Sequence, residues 1–321
     1  MSNVLAVIVN YRTPDLAIDC LASLAGQLDP AAGSRAVVVD NASGDDSIER
    51  IGAAIDERGW RDWAELLPHE ENGGFAAGNN AAIDPALKSN RPPDYVLLLN
   101  SDTVARPGAV AALADFLDAH PRVGIVGSRL EDPDGTPQHS RYRFPGIRSE
   151  LEVAIHFGPI TRLLKNYMVT VPISDKPHQI DWVCGGSMMI RHEVFAHVGL
   201  LDERYFMYYE ETDFALAARK AGWQCWYVPA SHVIHLVGRS SGVTVRESRP
   251  PRVPPYWFES RRRYFIKNHG RVYAAMVDGV SIVGCALWRM RRAIQRKPDR
   301  DPPYFLLDRI RHSVFLKGFQ T

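Results

Sequence analysis

Asp102 is the first acidic side chain whose place in this sequence suggests chemistry. It closes the run Tyr95 to Thr103, YVLLLNSDT. Four consecutive apolar residues, Val96 to Leu99, predict a strand buried on both faces, and the break into Asn100, Ser101 and Asp102 puts a carboxylate at its carboxyl end. Ligands of open α/β sheets bind at that edge, so Asp102 reads as a metal- or phosphate-handling residue. A loop aspartate capping the next helix is the other reading. Glu210, Glu211 and Asp213 share one first helical turn behind the aromatic run Phe206 to Tyr209. Three acids there are what a helix macrodipole favours; acids behind an aromatic cluster are also how a general base would be built. His232 and His235 lie three apart on an expected strand and point to opposite faces, so only one of them can readily face a site. A strand histidine is otherwise a structural residue.

Two glycine-bearing stretches complete the set. In NGGFAAGNN, Asn72 to Asn80, small residues let a ligand or another backbone approach, and amides at a helix start suit a diphosphate. A glycine turn with tight helix packing explains the same residues. In Trp182 to Arg191, the pair Gly185 and Gly186 interrupts an expected strand where a ligand could press against backbone.

These residues need a scaffold, and the pattern supplies one. Leu5 to Val9 is a short apolar run, and Thr13 and Pro14 then open a helix that buries Leu16, Cys20, Leu21 and Leu24. Ala36 to Val39 ends in Asp40, Asn41, Ala42 and Ser43 before a helix from about Ser47. Strand, polar turn and helix in repetition predict βαβ units and a parallel sheet whose polar turns line one edge. Glu65 to His69, Val123 to Val126, Trp223 to Val228 and His232 to Val237 are the further expected strands. Between Gln138 and Ile180 periodicity is poor, and this stretch reads as an insertion over the site, a lid or partner-binding region.

Composition narrows the class. The chain of 321 residues has 38 Lys and Arg against 37 Asp and Glu, so no global field draws in nucleic acid. Cys20, Cys184, Cys225 and Cys285 lie far apart without CxxC spacing, which argues against a zinc site or disulfide framework and suits a reducing cytoplasm. The N-terminus lacks a basic n-region and cleavage site, so no secretory signal is expected. No uninterrupted apolar run reaches the length of a bilayer span.

Taken in order, VIVNYRT (7–13), VVVDNAS (37–43), NGGFAAGNN (72–80), LLLNSDT (97–103), WVCGGSMMIR (182–191), FMYYEETDF (206–214) and IHLVGRSS (234–241) resemble the inverting family 2 glycosyltransferases of GT-A fold, especially the rhamnosyltransferase-like members. The resemblance implies a Rossmann-like mixed α/β sheet over about residues 1–245, with a helical extension over 246–321. It implies that Asn10, Tyr11, Arg12 and Asp40 hold the base and ribose of a nucleotide sugar, dTDP- or UDP-linked, with Asn72, Gly73 and Asn79 lining the same cleft. Asn100, Ser101 and Asp102 occupy the DxD position, departing from it at Asn100. Asp102 is the implied ligand of Mg²⁺ or Mn²⁺, with His235 completing the shell and Arg239 assisting the departing diphosphate. Glu211 falls at the catalytic base, flanked by Glu210 and Asp213, and Trp182, Gly185 and Gly186 fall on the substrate side.

The implied reaction moves a hexose, L-rhamnose from dTDP-rhamnose as the best match, to a hydroxyl of a glycan or lipid-linked acceptor. A nucleotidyltransferase acting on sugar phosphates and a non-catalytic nucleotide-sugar or glycan-binding module are the competing classes. Beyond Arg249 a short apolar helix, Val272 to Trp288, is flanked by aromatics and by Arg289, Arg291, Arg292, Arg296 and Lys297. It reads as peripheral contact with the inner face of the cell membrane, or as a helical cap or homodimer contact.

Overall fold

The computed structural model describes residues 2–236 and 250–320, which fall into two compact units. The first holds residues 2–142, 172–206 and 210–236; the second holds 143–171, 207–209 and 250–320.

The first unit begins with the expected alternation: β1 (Val4–Asn10), α1 (Pro14–Leu24), β2 (Arg35–Asn41), α2 (Ser47–Glu57), β3 (Ala64–His69), α3 (Gly74–Leu87) and β4 (Tyr95–Asn100). After β5 (Thr103–Ala105), α4 (Ala109–Ala119), β6 (Val123–Glu131) and β7 (Arg141–Tyr142), the chain enters the second unit as α5 (Ile147–Ile155) and α6 (Gly158–Leu164). It returns as β8 (His178–Ile180), β9 (Trp182–Val183), β10 (Ser187–Arg191), α7 (His192–Val198), α8 (Glu210–Lys220) and β11 (Gln224–His235). The main sheet runs β3-β2-β1-β4-β10-β6-β11-β5, with β8 added to β11.

The sheet is mixed. β1, β2, β3 and β4 are parallel, as helical crossovers require. β10 is antiparallel to both β4 and β6. Period-two alternation decides the layers: Val4, Ala6 and Ile8 of β1, Ala36 and Val38 of β2, and Leu97 and Leu99 of β4 face α1, α2 and α4 in one buried cluster. Val96 to Leu99 are all buried, as the uninterrupted apolar run predicts. Parallel pairing then sets Asn10, Asn41 and Asn100, the last residues of β1, β2 and β4, on one edge.

Three local expectations change. The strand expected over Trp182 to Arg191 divides, because Cys184 N–H donates to Ser140 O (2.9 Å) and holds β9 on β7, while β10 enters the main sheet. The two strands expected at 223–228 and 232–237 form one strand, β11, with a register irregularity between Val228 and His232, where Pro229 has no N–H to give the ladder. Val237, the last residue expected there, lies outside the described residues. The irregular stretch 138–180 contains helices α5 and α6 as well as β7 and β8.

The second unit is helical, with α9 (Pro255–His269), α10 (Arg271–Ile294), α11 (Phe305–Arg311) and α12 (Val314–Lys317) joining α5 and α6. Gly284 lets α10 lie close against α5: a Cβ there would sit 2.9 Å from Cβ of Ala154. Around this crossing is a buried ionic cluster. Arg261 donates to Glu150 Oε2 (2.7 Å) and Asp278 Oδ1 (2.6 Å), and Arg309 Nη1 donates to Ser281 Oγ. By length and composition alone α10 is apolar enough to cross a membrane, although Asp278 interrupts its apolar run. Its inward face, carrying Asp278 and Ser281, is packed and bonded in this unit.

Candidate active site

The polar ends of β1, β2 and β4 are tied to one another by side-chain hydrogen bonds. Asn10 Nδ2 donates to Asp40 Oδ1 (2.8 Å), Ser43 N–H to Asp40 Oδ2 (3.1 Å), and Ser43 Oγ to Asp40 Oδ1 (2.6 Å). Asn10 Oδ1 receives Thr13 N–H (3.2 Å), and Thr13 Oγ1 meets Ser101 Oγ at 3.2 Å. Asn10 and Asp40 are therefore buried and occupied with shaping the edge, whereas Tyr11 and Arg12 face solvent. Arg12 has a left-handed backbone, φ 59°, held by its N–H and Nε bonds to Ser43 (both 2.9 Å). The sequence marks Thr13 as a helix opener and Ser43 as a turn residue, and gives neither a part in this edge.

The glycine stretch is built on the second glycine. Gly74 has φ +82°, and a Cβ there would overlap the carbonyl of Phe206, to which Phe75 N–H donates at 2.9 Å. Gly73, the glycine singled out from sequence, caps α3 with an ordinary φ of −82°. Asn72 Oδ1 accepts from Asn41 Nδ2 (3.0 Å) and Gly74 N–H (3.1 Å). Asn79 Nδ2 donates to Phe75 O (2.8 Å), and its enclosed Oδ1 has no hydrogen-bond partner among the described residues. At the next residue of α3, Asn80 Nδ2 donates to Leu201 O (2.8 Å) and Glu203 Oε1 (2.9 Å), fastening the segment that leads towards α8.

Asp102 meets His235 because the short turn after β4 leads into β5, which crosses to the far edge of the sheet and pairs antiparallel with β11, matching Thr103 to His235. Leu236 N–H donates to Asp102 O (2.9 Å), and His235 Nε2 lies 3.5 Å from Asp102 Oδ1. Of the two strand histidines, His232 instead bonds Glu131 Oε2 (3.0 Å). The imidazole of His235 is oriented by Gln138. Gln138 Nε2 donates to His235 O and Asp132 Oδ1, both at 2.8 Å, so its Oε1 must be the atom 3.2 Å from His235 Nδ1. That acceptor holds the proton on Nδ1 and leaves the Nε2 lone pair towards Asp102.

Two ligands at right angles on one octahedral ion stand about 3 Å apart. A carboxylate and an imidazole nitrogen at 3.5 Å, with the nitrogen lone pair exposed, fit a divalent cation that takes its remaining oxygens from a ligand. Among the described residues no group of three or more His, Cys, Asp or Glu forms a complete cage. Arg239 lies outside the described residues.

The turn Cys184–Gly186 connects this edge to the acids of α8. Asn100 N–H donates to Gly186 O (3.3 Å), and the carboxylate of Glu211 accepts the N–H of Gly185. Both Glu211 and Asp102 bear on the Cys184 thiol, whose pKa burial and these acids push up to about 12. A Cβ on Gly185 would press within 3.1 Å of the Phe75 ring, so glycine keeps this amide close to the acid.

Tyr205 sets Asp213 apart from the two glutamates, whose Oε2 atoms are both enclosed. Asp213 Oδ1 accepts the hydroxyl of Tyr205 at 3.2 Å, and Glu210 is buried at the start of α8. Glu211 Oε2 is enclosed and has no hydrogen-bond partner among the described residues. Burial raises the Glu211 pKa to about 7, against the lowering effect of the backbone amides of Glu211, Gly185 and Thr212. A carboxylate of this kind takes up a proton readily near neutrality, as a general base must. Backbone strain leads directly to it, with Tyr208 and Tyr209 left-handed at φ 69° and 71°. Trp182 stacks on Tyr142 across β7 and β9, with ring centroids 4.4 Å apart, giving an aromatic platform in the same unit.

Comparison with known proteins adds independent information. The family model described as glycosyl transferase family 2 matches residues 5–199. Over 186 residues the chain is 33% identical to N-acetylglucosaminyl-diphospho-decaprenol L-rhamnosyltransferase of Mycobacterium tuberculosis H37Rv, covering 55% of this chain and 60% of that one. It is 24% identical over 277 residues to the dTDP-rhamnosyl transferase RfbF of Shigella flexneri, covering 84% of this chain and 81% of the relative. The mannosyltransferase PcManGT from Pyrobaculum calidifontis, solved with GDP-Man and Mn²⁺, shares the fold with a TM-score of 0.56 at 16% identity, over 92% of this chain and 75% of that one.

Proposed function

Because the chain belongs to glycosyl transferase family 2, we propose that it is an inverting glycosyltransferase carrying a hexose from a nucleotide sugar to an acceptor hydroxyl. The observation that carries this reading is the pairing of unlike carboxylates across one turn. Asp102, beside an oriented imidazole, is built to be a metal ligand; Glu211, enclosed with one unpartnered oxygen and a pKa near 7, is built to take a proton.

Asp102 and His235 would hold a divalent cation, which when bound would offset the negative charge that grows on the departing diphosphate. Tyr11 and Arg12 offer an exposed ring and cation to the nucleotide base and ribose. Asn10, Asp40, Asn72 and Gly73 set the shape of the loops that receive it. Glu211 Oε2 accepts the proton of the attacking hydroxyl while Gly185 N–H holds the carboxylate in place. Attack on the face opposite the leaving diphosphate inverts the anomeric carbon. Trp182, stacked on Tyr142, is a surface for a sugar ring, and Arg239 is assigned to the diphosphate by its motif alone.

Two relatives bear names that specify rhamnosyl transfer, one of them from dTDP. L-Rhamnose from dTDP-rhamnose is accordingly the donor we assign, and a cell-surface glycan or lipid-linked sugar at the cytoplasmic face of the membrane is the acceptor. The chain spans 60% of the length of its first relatives, so donor and acceptor are both parts of the proposal. Neither a nucleotidyltransferase nor a binding module accounts for an enclosed, proton-accepting Glu211.

A panel of dTDP-, UDP- and GDP-sugars with Mn²⁺ tests the assignment through thermal stabilisation and donor turnover. The expected result is selective stabilisation by dTDP-rhamnose and turnover lost in Asp102→Ala. Equal response to every donor would reject the rhamnose assignment, and pyrophosphate release would reject sugar transfer.

A further inference from the structure

The second unit carries a surface that the transfer chemistry does not use. From Val272 to Ile294 of α10, every exposed residue is apolar: six large ones, Val272, Met276, Val283, Leu287, Met290 and Ile294, and two alanines. The six large ones are between 42% and 75% exposed. At 100° per residue these six fall within about 60° of one another, a single stripe roughly 33 Å long. The opposite side of α10 carries its buried residues, Ala274, Val277, Asp278, Ser281, Gly284 and Cys285. The stripe continues sideways onto α12, where the ring of Phe315, 59% exposed, reaches within 3.9 Å of a Cβ built on Gly279.

Positive charge is concentrated in the segment that carries this stripe, with Arg261, Arg263 and Arg309 of it buried and the others part-buried or exposed. Residues 250–320 contain 15 Lys and Arg against five Asp and Glu, in a chain whose totals nearly balance. Exposed Arg271 stands at the start of α10, and exposed Arg296, Lys297 and Arg300 follow its end.

We infer that this face of α10, with Phe315 of α12, is a docking surface for an anionic lipid bilayer, the helix lying in the plane of the interface. Apolar side chains enter the acyl boundary while the cations at both ends meet lipid phosphates. The helix does not cross the bilayer. Asp278 is held by Arg261 at 2.6 Å, and Arg309 donates to Ser281, so spanning would break a buried ionic cluster and carry a charge into hydrocarbon. A second copy of the chain is the poorer occupant. Two such helices packed antiparallel about a twofold axis bring Arg271 of each against Arg296 and Lys297 of the other, and parallel packing sets like charges together at both ends. The proposal extends the assignment of a lipid-linked acceptor, but its test needs no transfer assay.

The full chain is mixed with vesicles of phosphatidylcholine alone and with vesicles carrying about one-third phosphatidylglycerol, and binding is followed by co-sedimentation. Binding is expected to the anionic vesicles, to weaken as salt rises, and to fall at least about tenfold in Val283→Glu/Leu287→Glu. Both positions are exposed, so an unchanged melting temperature and unchanged nucleotide-sugar binding certify the fold of that variant. Arg296→Glu/Lys297→Glu is expected to weaken binding to anionic vesicles while leaving the apolar stripe intact. Equal binding to neutral vesicles, no binding to either, or a dimer in sedimentation velocity that Val283→Glu/Leu287→Glu dissociates would each overturn the proposal. Loss of sugar transfer with vesicle binding retained would bear on the function assigned above and not on this surface.

Discussion

His235 Nε2 stands 3.5 Å from Asp102 Oδ1, and the strand residue and the turn residue meet only because β5, which follows Asp102, pairs with β11. Leu236 N–H also donates to Asp102 O, which ties the turn to the end of β11. Gln138 fixes the imidazole through an amide whose direction is locked by two acceptors, His235 O and Asp132 Oδ1.

Gln138→Ala should therefore act at a distance from any ligand. Removing the acceptor on Nδ1 releases both tautomer and ring orientation, and losses of this kind weaken metal binding by roughly 10–100-fold. Mn²⁺ titration by calorimetry in the presence of dTDP should show that loss with little change in melting temperature. Unchanged affinity would remove Gln138 from the site.

Glu211→Gln keeps the size of the side chain and removes its capacity to accept a proton. Turnover should fall by about 10²–10⁴-fold while donor KM stays near its original value. A carboxylate base works only when deprotonated, so kcat/KM of the unaltered enzyme should rise with pH and level off above about 7, the value to which burial lifts Glu211. A pH profile with no limb between pH ~5 and ~8 would assign the base elsewhere.

Gly74→Ala places a Cβ on a residue with φ +82°, directed at the carbonyl of Phe206. The left-handed backbone alone costs about 1–2 kcal/mol, and the overlap adds to it. A lower urea midpoint with unchanged m-value is expected, whereas Gly73→Ala, at φ −82° but within 2.5 Å of Ala77 Cβ, should cost less.

Glu150→Ala leaves Arg261 and Arg309 buried without the acid between them, a change of roughly 3–5 kcal/mol. Burial pushes the Glu150 pKa up, but the two guanidinium groups outweigh it and hold it below the ordinary value. Its folded-state pKa is thus depressed. The stability it contributes is present above the unfolded-state pKa and is lost as pH falls through the folded one. Acid unfolding should consequently begin at higher pH in Glu150→Ala than in the unaltered chain, monitored by far-ultraviolet circular dichroism.

Much of the scaffold was legible in the sequence because it is local. Val96 to Leu99 could only be a strand covered on both faces, and the polar residues closing the runs at Asn10, Asp40 and Asn100 mark a common edge once the strands are parallel. The ordered motifs likewise identified the family. What the sequence left open was decided by contacts between distant residues. Gln138 and His235 are 97 positions apart, and nothing in the poor periodicity around Gln138 marks it. Glu210, Glu211 and Asp213 are equivalent acids in one helical turn until packing ties Asp213 to Tyr205, brings Gly185 to Glu211 and encloses Oε2. A side chain's type is written in the sequence; its desolvation and its hydrogen-bond partners, which set proton affinity, exist only once the chain has closed around it.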